Sequence, residues 1–343
     1  MERRTLGTSG LVVPAFALGT MTFGHETPEG DSHAILDRYL EAGGTLLDTA
    51  DVYVAGESER IIGRWLEAHG SRDDVLVATK ARFPVGDDPD PNRRGLSRSW
   101  LTRAVDASLA RLGTDHVDLF QVHAWDPLVA VEEWLTALDD LVTAGKIRYV
   151  GVSNLRGYQL QRVVLVARHR GLAPVVSLQP QYSLLSREIE WELMPLCREE
   201  GLGVLPWSPL GGGWLTGKYR RDESPSGATR LGEDPQRGEE AWHKRATERT
   251  WAILEAVRAV AEERDATMSQ VALAWVAAQP GVSSVILGVR TLDQLEDNLA
   301  AAGLALTDDD LARLDEVSRP ATPAYPYARL DQIDAERRVD LGR

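Results

Sequence analysis

The fold is decided by a helix-to-strand unit at residues 98–122, which reads RSWLTRAVDASLARLGTDHVDLFQV. Ser97 precedes the helical part and Gly113 follows it, and both are common boundary residues of a helix. The run 117–122 then has the length of a strand and is rich in apolar residues, which is typical of a parallel strand buried on both faces. The unit therefore predicts a helix followed by a buried strand.

The same unit recurs along the chain. Eight short runs rich in apolar residues are predicted as strands, and longer amphipathic stretches with cap signals lie between them. The eight runs are 16–19, 45–48, 75–79, 117–122, 149–152, 175–178, 203–206 and 284–287. Strands that alternate with helices in this number predict a closed (β/α)8 barrel of the TIM type. An open doubly wound sheet is the alternative, but no G-x-G-x-x-G turn follows any of the runs.

Two segments depart from the alternation. Residues 3–13 predict a small hairpin with its turn at Thr8-Ser9-Gly10, plugging the bottom of the barrel. Residues 220–240, after the seventh strand, form a long loop rich in glycine, proline and charge, with few apolar anchors. Such a composition predicts a mobile lid that becomes ordered over a ligand. We expect residues 1–343 to form one domain that ends in a polar tail at 320–343.

The composition excludes several classes of partner. The chain has 343 residues, enough to bury a large core, and a formal net charge of −14, which repels nucleic-acid phosphates and anionic membranes. One cysteine, Cys197, permits no intramolecular disulfide, and the histidines lack the spacing of metal ligands. No apolar run is long enough to span a membrane, so we expect a cytoplasmic protein without bound metal. The oligomeric state is left open.

Polar side chains stand at the carboxyl ends of three consecutive predicted strands. Asp48 ends the second strand within LLDTADVY, Tyr53 follows it, Lys80 ends the third, and His123 ends the fourth. Each residue alone is ordinarily structural, but barrel enzymes carry their chemistry at this end, where the four would meet. A carbonyl that accepts hydride needs a proton, which Tyr53 can donate. Lys80 and Asp48 would lower its pKa, and His123 would donate to the carbonyl oxygen.

These motifs resemble those of the aldo-keto reductases. The resemblance covers residues 4–317, with every motif in the family's order. The later motifs are GVSN at 151–154, LQPQYS at 178–183, PWSPLGGGWLTGKY at 206–219 and ILGVRTLDQLEDN at 286–298. It implies that Asp48, Tyr53, Lys80 and His123 form the family's catalytic tetrad. It also implies NADPH as the cofactor and a small-molecule carbonyl compound as the substrate, contacted by Tyr53, His123 and Trp125.

The resemblance assigns cofactor contacts to most of the strand ends. Some would hold the nicotinamide, some the pyrophosphate, and those at the end of the eighth strand the adenosine 2′-phosphate and adenine. The residues so assigned are Thr20, Met21, Asp48, Ser153, Asn154, Gln179, Trp207, Ser208, Pro209, Leu210, Gly211, Gly213, Lys218, Arg230, Gly288, Arg290, Gln294 and Asn298. The 2′-phosphate pocket has a physical basis, because a helix start favours an anion and arginine adds a forked donor.

Three positions depart from the family's pattern in this pocket. Gln294, Gly288 and Asp297 stand where many members carry arginine, lysine and glutamate. A preference for NADPH over NADH would therefore rest on Arg290 and Arg230. Two functional alternatives stay open beside a simple carbonyl reductase. One is a reductase of a nucleotide-linked keto-sugar. The other is a slow NADPH-binding regulatory subunit similar to the potassium-channel β subunits.

Overall fold

The structure is a computed structural model that describes residues 1–70, 72–221, 223–227, 229–236 and 238–335, with the backbone only at Arg230. The strands within these ranges are β1 (Arg3–Thr5), β2 (Val12–Pro14), β3 (Phe16–Gly19), β4 (Leu46–Asp48), β5 (Leu76–Ala81), β6 (Val117–Val122), β7 (Ile147–Ser153), β8 (Val175–Gln179), β9 (Gly203–Val204) and β10 (Val285–Gly288). The helices are α1 (Glu29–Glu41), α2 (Glu57–His69), α3 (Arg98–Leu112), α4 (Val131–Thr143), α5 (Gly157–Arg170), α6 (Leu193–Glu200), α7 (Arg230–Glu233), α8 (Trp242–Arg245), α9 (Glu248–Glu263), α10 (Met268–Ala277), α11 (Leu292–Ala300), α12 (Asp308–Ser318) and α13 (Arg329–Ala335).

Eight parallel strands form the central barrel. Their order is β10, β3, β4, β5, β6, β7, β8 and β9, and each neighbouring pair is parallel. The barrel closes between β9 and β10, because the amides of Ser283 and Ile286 donate to the carbonyls of Val204 and Pro206 at 2.9 and 3.0 Å. All eight predicted strands are confirmed, and the (β/α)8 barrel replaces the open-sheet alternative.

Local capping sets most helix boundaries where the sequence predicts them. The hydroxyl of Ser97 accepts from the amide of Trp100, and α3 spans the predicted residues. Helix α1 is an exception: Asp31 and Ser32 are good N-cap residues that predict a start at residue 33, but the helix begins at Glu29. Ser32 does not cap it: its hydroxyl donates to the carbonyl of Pro28 at 2.9 Å, from a position already inside the helix.

The N-terminal hairpin closes the amino-terminal end of the barrel. Strands β1 and β2 pair antiparallel, and Leu6 and Val13 are fully buried against barrel-interior side chains such as Leu46 and Leu119. The hairpin is also fastened from outside, where the amide of Thr8 donates to a backbone carbonyl of the β8–β9 connection at 2.9 Å. With this end filled, the open mouth of the barrel is the carboxyl end of the strands.

The long connection from β9 to α9 holds more apolar anchors than its composition indicated. Leu231 and Ala241 are fully buried. The ring of Trp242 stacks on Trp214 with centroids 4.9 Å apart, and Trp251 of α9 packs edge-on at 5.5 Å from Trp214. The expectation of few apolar anchors is therefore corrected. Helices α7 and α8 pack on the barrel through single apolar residues that are far apart in the polar loop but close together in the structure.

The C-terminal tail contacts the body of the protein as far as it is described. The ring of Tyr327 stacks on Trp191 at 5.4 Å, and its hydroxyl donates to Glu192 at 2.8 Å. None of the described helices combines the length and the apolarity needed to cross a membrane.

Helices α2 and α3 pack so closely that a methyl group is excluded. A Cβ added at Gly63 would lie 2.4 Å from the carbonyl oxygen of Arg111 and 2.9 Å from the carbonyl carbon of Leu112. Both atoms are backbone, so a helix must shift. We expect Gly63→Ala to lower the free energy of unfolding by about 1–3 kcal/mol, the usual cost of overpacking.

The matched control is Gly30→Ala, in the first turn of α1, where an added Cβ meets no atom within 4 Å. This variant should be neutral or stabilising by up to about 1 kcal/mol, because alanine favours the helix. Urea unfolding of both variants is the measurement. Equal shifts for the two variants would contradict the close packing of α2 on α3.

Candidate active site

A cleft of about 670 Å³ opens at the carboxyl ends of the barrel strands. Strand ends and the connections after β3, β9 and β10 supply most of its wall. The expected site residues that line it are Thr20, Met21, Asp48, Tyr53, His123, Ser153, Asn154, Gln179, Trp207, Ser208, Pro209, Leu210, Gly213, Lys218, Gly288, Arg290, Gln294 and Asn298. The structure therefore places side chains that are far apart in the sequence along one continuous cleft.

Lys80 lies fully buried beneath this cleft. Its Nζ donates to Oδ2 of Asp48 at 2.7 Å, to the carbonyl of Thr49 at 2.8 Å and to the hydroxyl of Tyr53 at 3.3 Å. Desolvation lowers the pKa of Lys80, but attraction to Asp48 and Tyr53 outweighs it and the pKa is raised. The ammonium therefore stays charged and joins the carboxylate to the phenol.

The pKa of the Tyr53 phenol differs from the value that the sequence led us to expect. Burial raises the pKa of its phenol above the usual value, and the opposing attraction of Lys80 does not overcome this effect. The expectation of a lowered pKa is corrected, because Asp48 neutralises much of the ammonium's field and adds its own repulsion of a phenolate. Tyr53 is consequently protonated at neutral pH, the form that can donate a proton.

His123 is held as a neutral imidazole. Burial, together with the nearby positive charges of Lys80 and Arg82, lowers its pKa to about 3. Its ring meets Tyr53 edge-on with centroids 6.1 Å apart and Phe83 at 5.0 Å. Its Nδ1 is buried and has no hydrogen-bond partner among the described residues. A neutral ring can still donate one N–H into the cleft, so His123 is suited to hydrogen bonding and not to carrying a positive charge.

Amide side chains bind the second oxygen of Asp48. Nε2 of Gln179 and of Gln121 donate to Oδ1 at 2.8 and 3.2 Å, so both carboxylate oxygens are bound. Ser153 donates to the backbone carbonyl of Gln179 at 2.7 Å, and Asn154 donates to Ser153 at 2.9 Å. One hydrogen-bonded network thus connects the ends of β4, β6, β7 and β8.

Asn154 joins this network to the next strand end. It has a positive φ of 56°, and its Oδ1 accepts from the indole N–H of Trp207 at 3.2 Å. Positive φ is uncommon for residues other than glycine, although asparagine tolerates it best. The Asn154 side chain thus lines the cleft and is bonded to the indole of Trp207.

The far end of the cleft contains Arg290 and the start of α11. The amide of Arg290 donates to Gln294 at 2.9 Å, and Thr291 caps the helix. The guanidinium of Arg290 is paired with Glu26 at 2.9 Å and with Glu233 at 3.2 Å. The residues expected to bind a 2′-phosphate therefore lie together, but their arginine already contacts two carboxylates.

Besides Lys80, which lies beneath the cleft, two expected residues do not line it, and the side chain of a third is not described. Gly211 is buried beneath it near Leu185, and Trp125 packs against the hydrophobic core instead of lining the cleft. The side chain of Arg230 lies outside the described part of the chain. Asp126, the neighbour of Trp125, is buried and accepts from the amides of Leu96 and Leu128 at 2.9 and 3.0 Å.

The prediction from the sequence missed two groups of site residues. Gln121 had a signal: it stands near the end of β6, two residues before His123, and side chains two apart in an extended chain share a face. Glu26 and Glu233 had none, since each pairs with an arginine that is distant in the sequence. Among the described residues, no three histidine, cysteine, aspartate or glutamate side chains are grouped so that they could hold a metal ion.

Comparison with known proteins supports a single family. The model of the aldo/keto reductase family matches residues 15–319. The oxidoreductase YrpG of Bacillus subtilis is 37% identical over 92% of this chain and 96% of its own length. Protein tas of Escherichia coli is 34% identical, over 95% of this chain and 99% of its own. Versiconal hemiacetal acetate reductase of Aspergillus parasiticus is 32% identical, over 92% and 96%.

The low pKa of His123 can be observed directly. We expect its ring resonances to remain those of a neutral imidazole from pH about 8 down to about 4, because the pKa of about 3 lies below that range. The resonances are assigned by their loss in His123→Gln, and the chemical shift is followed by NMR. A midpoint near the ordinary histidine value of about 6.5 would contradict the proposed burial of the ring.

Proposed function

Because this chain belongs to the aldo/keto reductase family, we propose that it is an NADPH-dependent reductase that converts an aldehyde or a ketone to an alcohol, with Tyr53 as the proton donor. The proposal is carried by the buried chain from Asp48 through Lys80 to Tyr53 at the base of the cleft. We expect the enzyme to act in the cytoplasm on a small-molecule carbonyl compound.

The cleft residues fit a nicotinamide dinucleotide in their chemistry. The polar groups of Ser153, Asn154 and Gln179 lie where they could hold a carboxamide, beside the flat indole of Trp207. At the other end, the start of α11 and the guanidinium of Arg290 suit a phosphate group. Gly213, Lys218 and the turn at Ser208 lie between these ends and could hold the pyrophosphate.

A bound NADPH would supply the hydride that reduces the carbonyl carbon. Tyr53 then donates the proton that the oxygen needs as negative charge develops on it, so that hydride and proton together complete the alcohol. Lys80 stabilises the phenolate that remains, because its Nζ lies 3.3 Å from the hydroxyl. His123 donates a hydrogen bond to the same oxygen and stays neutral throughout, since its pKa is lowered to about 3.

This arrangement predicts the effect of removing the Tyr53 hydroxyl. We expect Tyr53→Phe to lower the rate of carbonyl reduction by about 10²–10⁴-fold, the usual contribution of a positioned proton donor. NADPH affinity should stay within about twofold, since the ring remains. Tyr158→Phe, on an exposed tyrosine of α5, is the matched control and should retain full activity. Turnover of Tyr53→Phe close to that of the unsubstituted protein would exclude Tyr53 as the donor.

A second prediction concerns the choice of cofactor. Arg290→Ala should weaken NADPH binding more than NADH binding, because only NADPH carries the 2′-phosphate. A charge-assisted hydrogen bond contributes about 1.5–3 kcal/mol, so a selective loss of roughly 10- to 150-fold is expected. Fluorescence titration measures both affinities, with Arg313→Ala on α12 as the control for removal of a surface arginine. Equal losses for both cofactors would show that Arg290 does not recognise the phosphate.

A further inference from the structure

The guanidinium of Arg290 is shared between two carboxylates. Its NH2 atom lies 2.9 Å from Oε1 of Glu26 and 3.2 Å from Oε2 of Glu233, and NH1 lies 3.2 Å from Oε1 of Glu233. The contact with Glu233 thus uses both carboxylate oxygens. The Arg290 side chain is 21% exposed and that of Glu26 10%, whereas that of Glu233 is 44% exposed. The two acidic partners therefore differ in how firmly their surroundings enclose them.

Glu26 belongs to a rigid part of the cleft wall. Residues of its β3–α1 connection are hydrogen-bonded to the backbone on both sides of the β10 end: Thr22 donates to the carbonyl of Val289 at 2.9 Å, and Thr27 to the carbonyl of Arg290 at 3.3 Å. These bonds hold Glu26 beside Arg290 whether or not Glu233 is present. Glu26 therefore pairs with Arg290 independently of Glu233.

Glu233 approaches the same arginine from a separate segment. It is the last residue of α7, a four-residue helix in the long β9–α9 connection. Leu231 anchors this helix by its buried side chain and by a bond of 3.4 Å from its amide to the hydroxyl of Tyr219. The Arg290–Glu233 pair is thus an electrostatic link between α7 and the β10 end. A short helix with one apolar anchor can withdraw when this link is released.

A phosphate and the carboxylate of Glu233 need the same donors. A guanidinium presents its N–H groups in a fixed fork that matches either anion in a bidentate manner, but not both at once through the same pair of groups. We propose that Glu233 is an internal competitor for the 2′-phosphate at Arg290, so that α7 is linked across the adenosine end of the cleft until a 2′-phosphorylated nucleotide displaces the carboxylate. This inference rests on the proposed function, because it takes the cleft to be the dinucleotide site.

The competition has a consequence for selectivity. A nucleotide with a 2′-phosphate replaces the bonds that Glu233 gives up, whereas one with a free 2′-hydroxyl does not carry the charge to do so. The free energy of binding between Arg290 and the 2′-phosphate is therefore partly offset by the loss of the Arg290–Glu233 ion pair. Glu233 lowers the preference for NADPH over NADH below the level that Arg290 would provide alone.

The test uses the full-length protein and two nucleotide fragments, adenosine 2′-monophosphate and adenosine 5′-monophosphate, by isothermal titration calorimetry. We expect Glu233→Gln to tighten binding of the 2′-phosphate by about 5- to 20-fold, because a half-exposed bidentate ion pair is removed as a competitor. Binding of the 5′-phosphate should change less than about twofold. NADPH and NADH should follow the same pattern as the fragments.

Glu239→Gln is the matched control. Glu239 lies in the same connection and pairs with Lys244 at 3.0 Å, so its substitution removes one negative charge without touching Arg290. A double variant tests whether Glu233 acts through Arg290 or only through its charge. In the Arg290→Ala background, Glu233→Gln should no longer tighten binding of the 2′-phosphate. Thermal unfolding of each variant verifies that the fold is retained.

Two different failures can be distinguished. If Glu233→Gln tightens the 2′-phosphate no more than Glu239→Gln does, or if its effect persists in the Arg290→Ala background, the competition is refuted while NADPH binding by the unsubstituted protein still supports the proposed function. If neither fragment nor either dinucleotide binds to any of the proteins, the dinucleotide assignment of the cleft fails, and the competition fails with it.

Discussion

The site depends on the burial of one ammonium group. A charged lysine that loses its water costs several kcal/mol unless well-aligned partners replace that water. Lys80 has three such partners, and one of them, Asp48, is in turn bound through its other oxygen by Gln179 and Gln121. These partners come from the ends of β4, β6 and β8 and from the turn after β4. Lys80 and Asp48 therefore keep all their hydrogen bonds only if these elements keep their positions relative to one another. The barrel and the polar site therefore stabilise each other.

The same ammonium determines the protonation of its neighbours. It opposes the rise in the pKa of Tyr53 and contributes to the fall in the pKa of His123. Desolvation is the larger effect on both groups, and for both it favours the neutral form. The outcome is a protonated phenol and a neutral imidazole around a fixed positive charge. A site of this kind can donate a proton from the phenol and stabilise the resulting anion without charging the imidazole.

Local patterns in the sequence were sufficient to predict the barrel and the meeting of Asp48, Tyr53, Lys80 and His123 at one end of it. The strands could be recognised because each is a short apolar run between capped helices, and strand ends of a parallel barrel must converge. The acidity of Tyr53 could not be predicted in the same way. Whether Lys80 lowers the pKa or burial raises it depends on how many surrounding atoms exclude water, which is a property of packing and not of neighbouring residues in the chain.

The electrostatics at the Arg290 end of the cleft were likewise inaccessible to sequence reasoning. The family resemblance, together with the capped helix that follows, suggested that Arg290 binds a phosphate. Its pairing with Glu26 and Glu233 depends on how two connections fold over the barrel mouth, and no periodicity or spacing encodes that approach. The buried anchor at Leu231 was missed for a related reason, since a single leucine in a polar segment has no pattern to identify it.

The position of Tyr53 itself rests on a strained turn. Val54 and Ala55, which follow it, have φ values of 48° and 52° in the left-handed region, and such residues cost about 1–3 kcal/mol each unless their surroundings enforce the conformation. Gly56 completes the turn directly over Arg111, where a Cβ would lie 2.7 Å from the arginine Cδ. The turn therefore packs closely against the Arg111 side chain of α3, which leaves no room for a side chain at this position.

Arg111 in turn connects the Tyr53 turn to the strand that carries Lys80. Its Nε donates to the fully buried Glu59 at 2.6 Å, and the same carboxylate accepts from the hydroxyl of Thr79 at 2.6 Å. Thr79 is the residue before Lys80 on β5. Glu59 of α2, the helix that begins directly after the turn, is thus bonded both to α3 and to the residue next to Lys80 on β5. These two bonds fix the start of α2 relative to β5, and so help to hold the phenol near the ammonium.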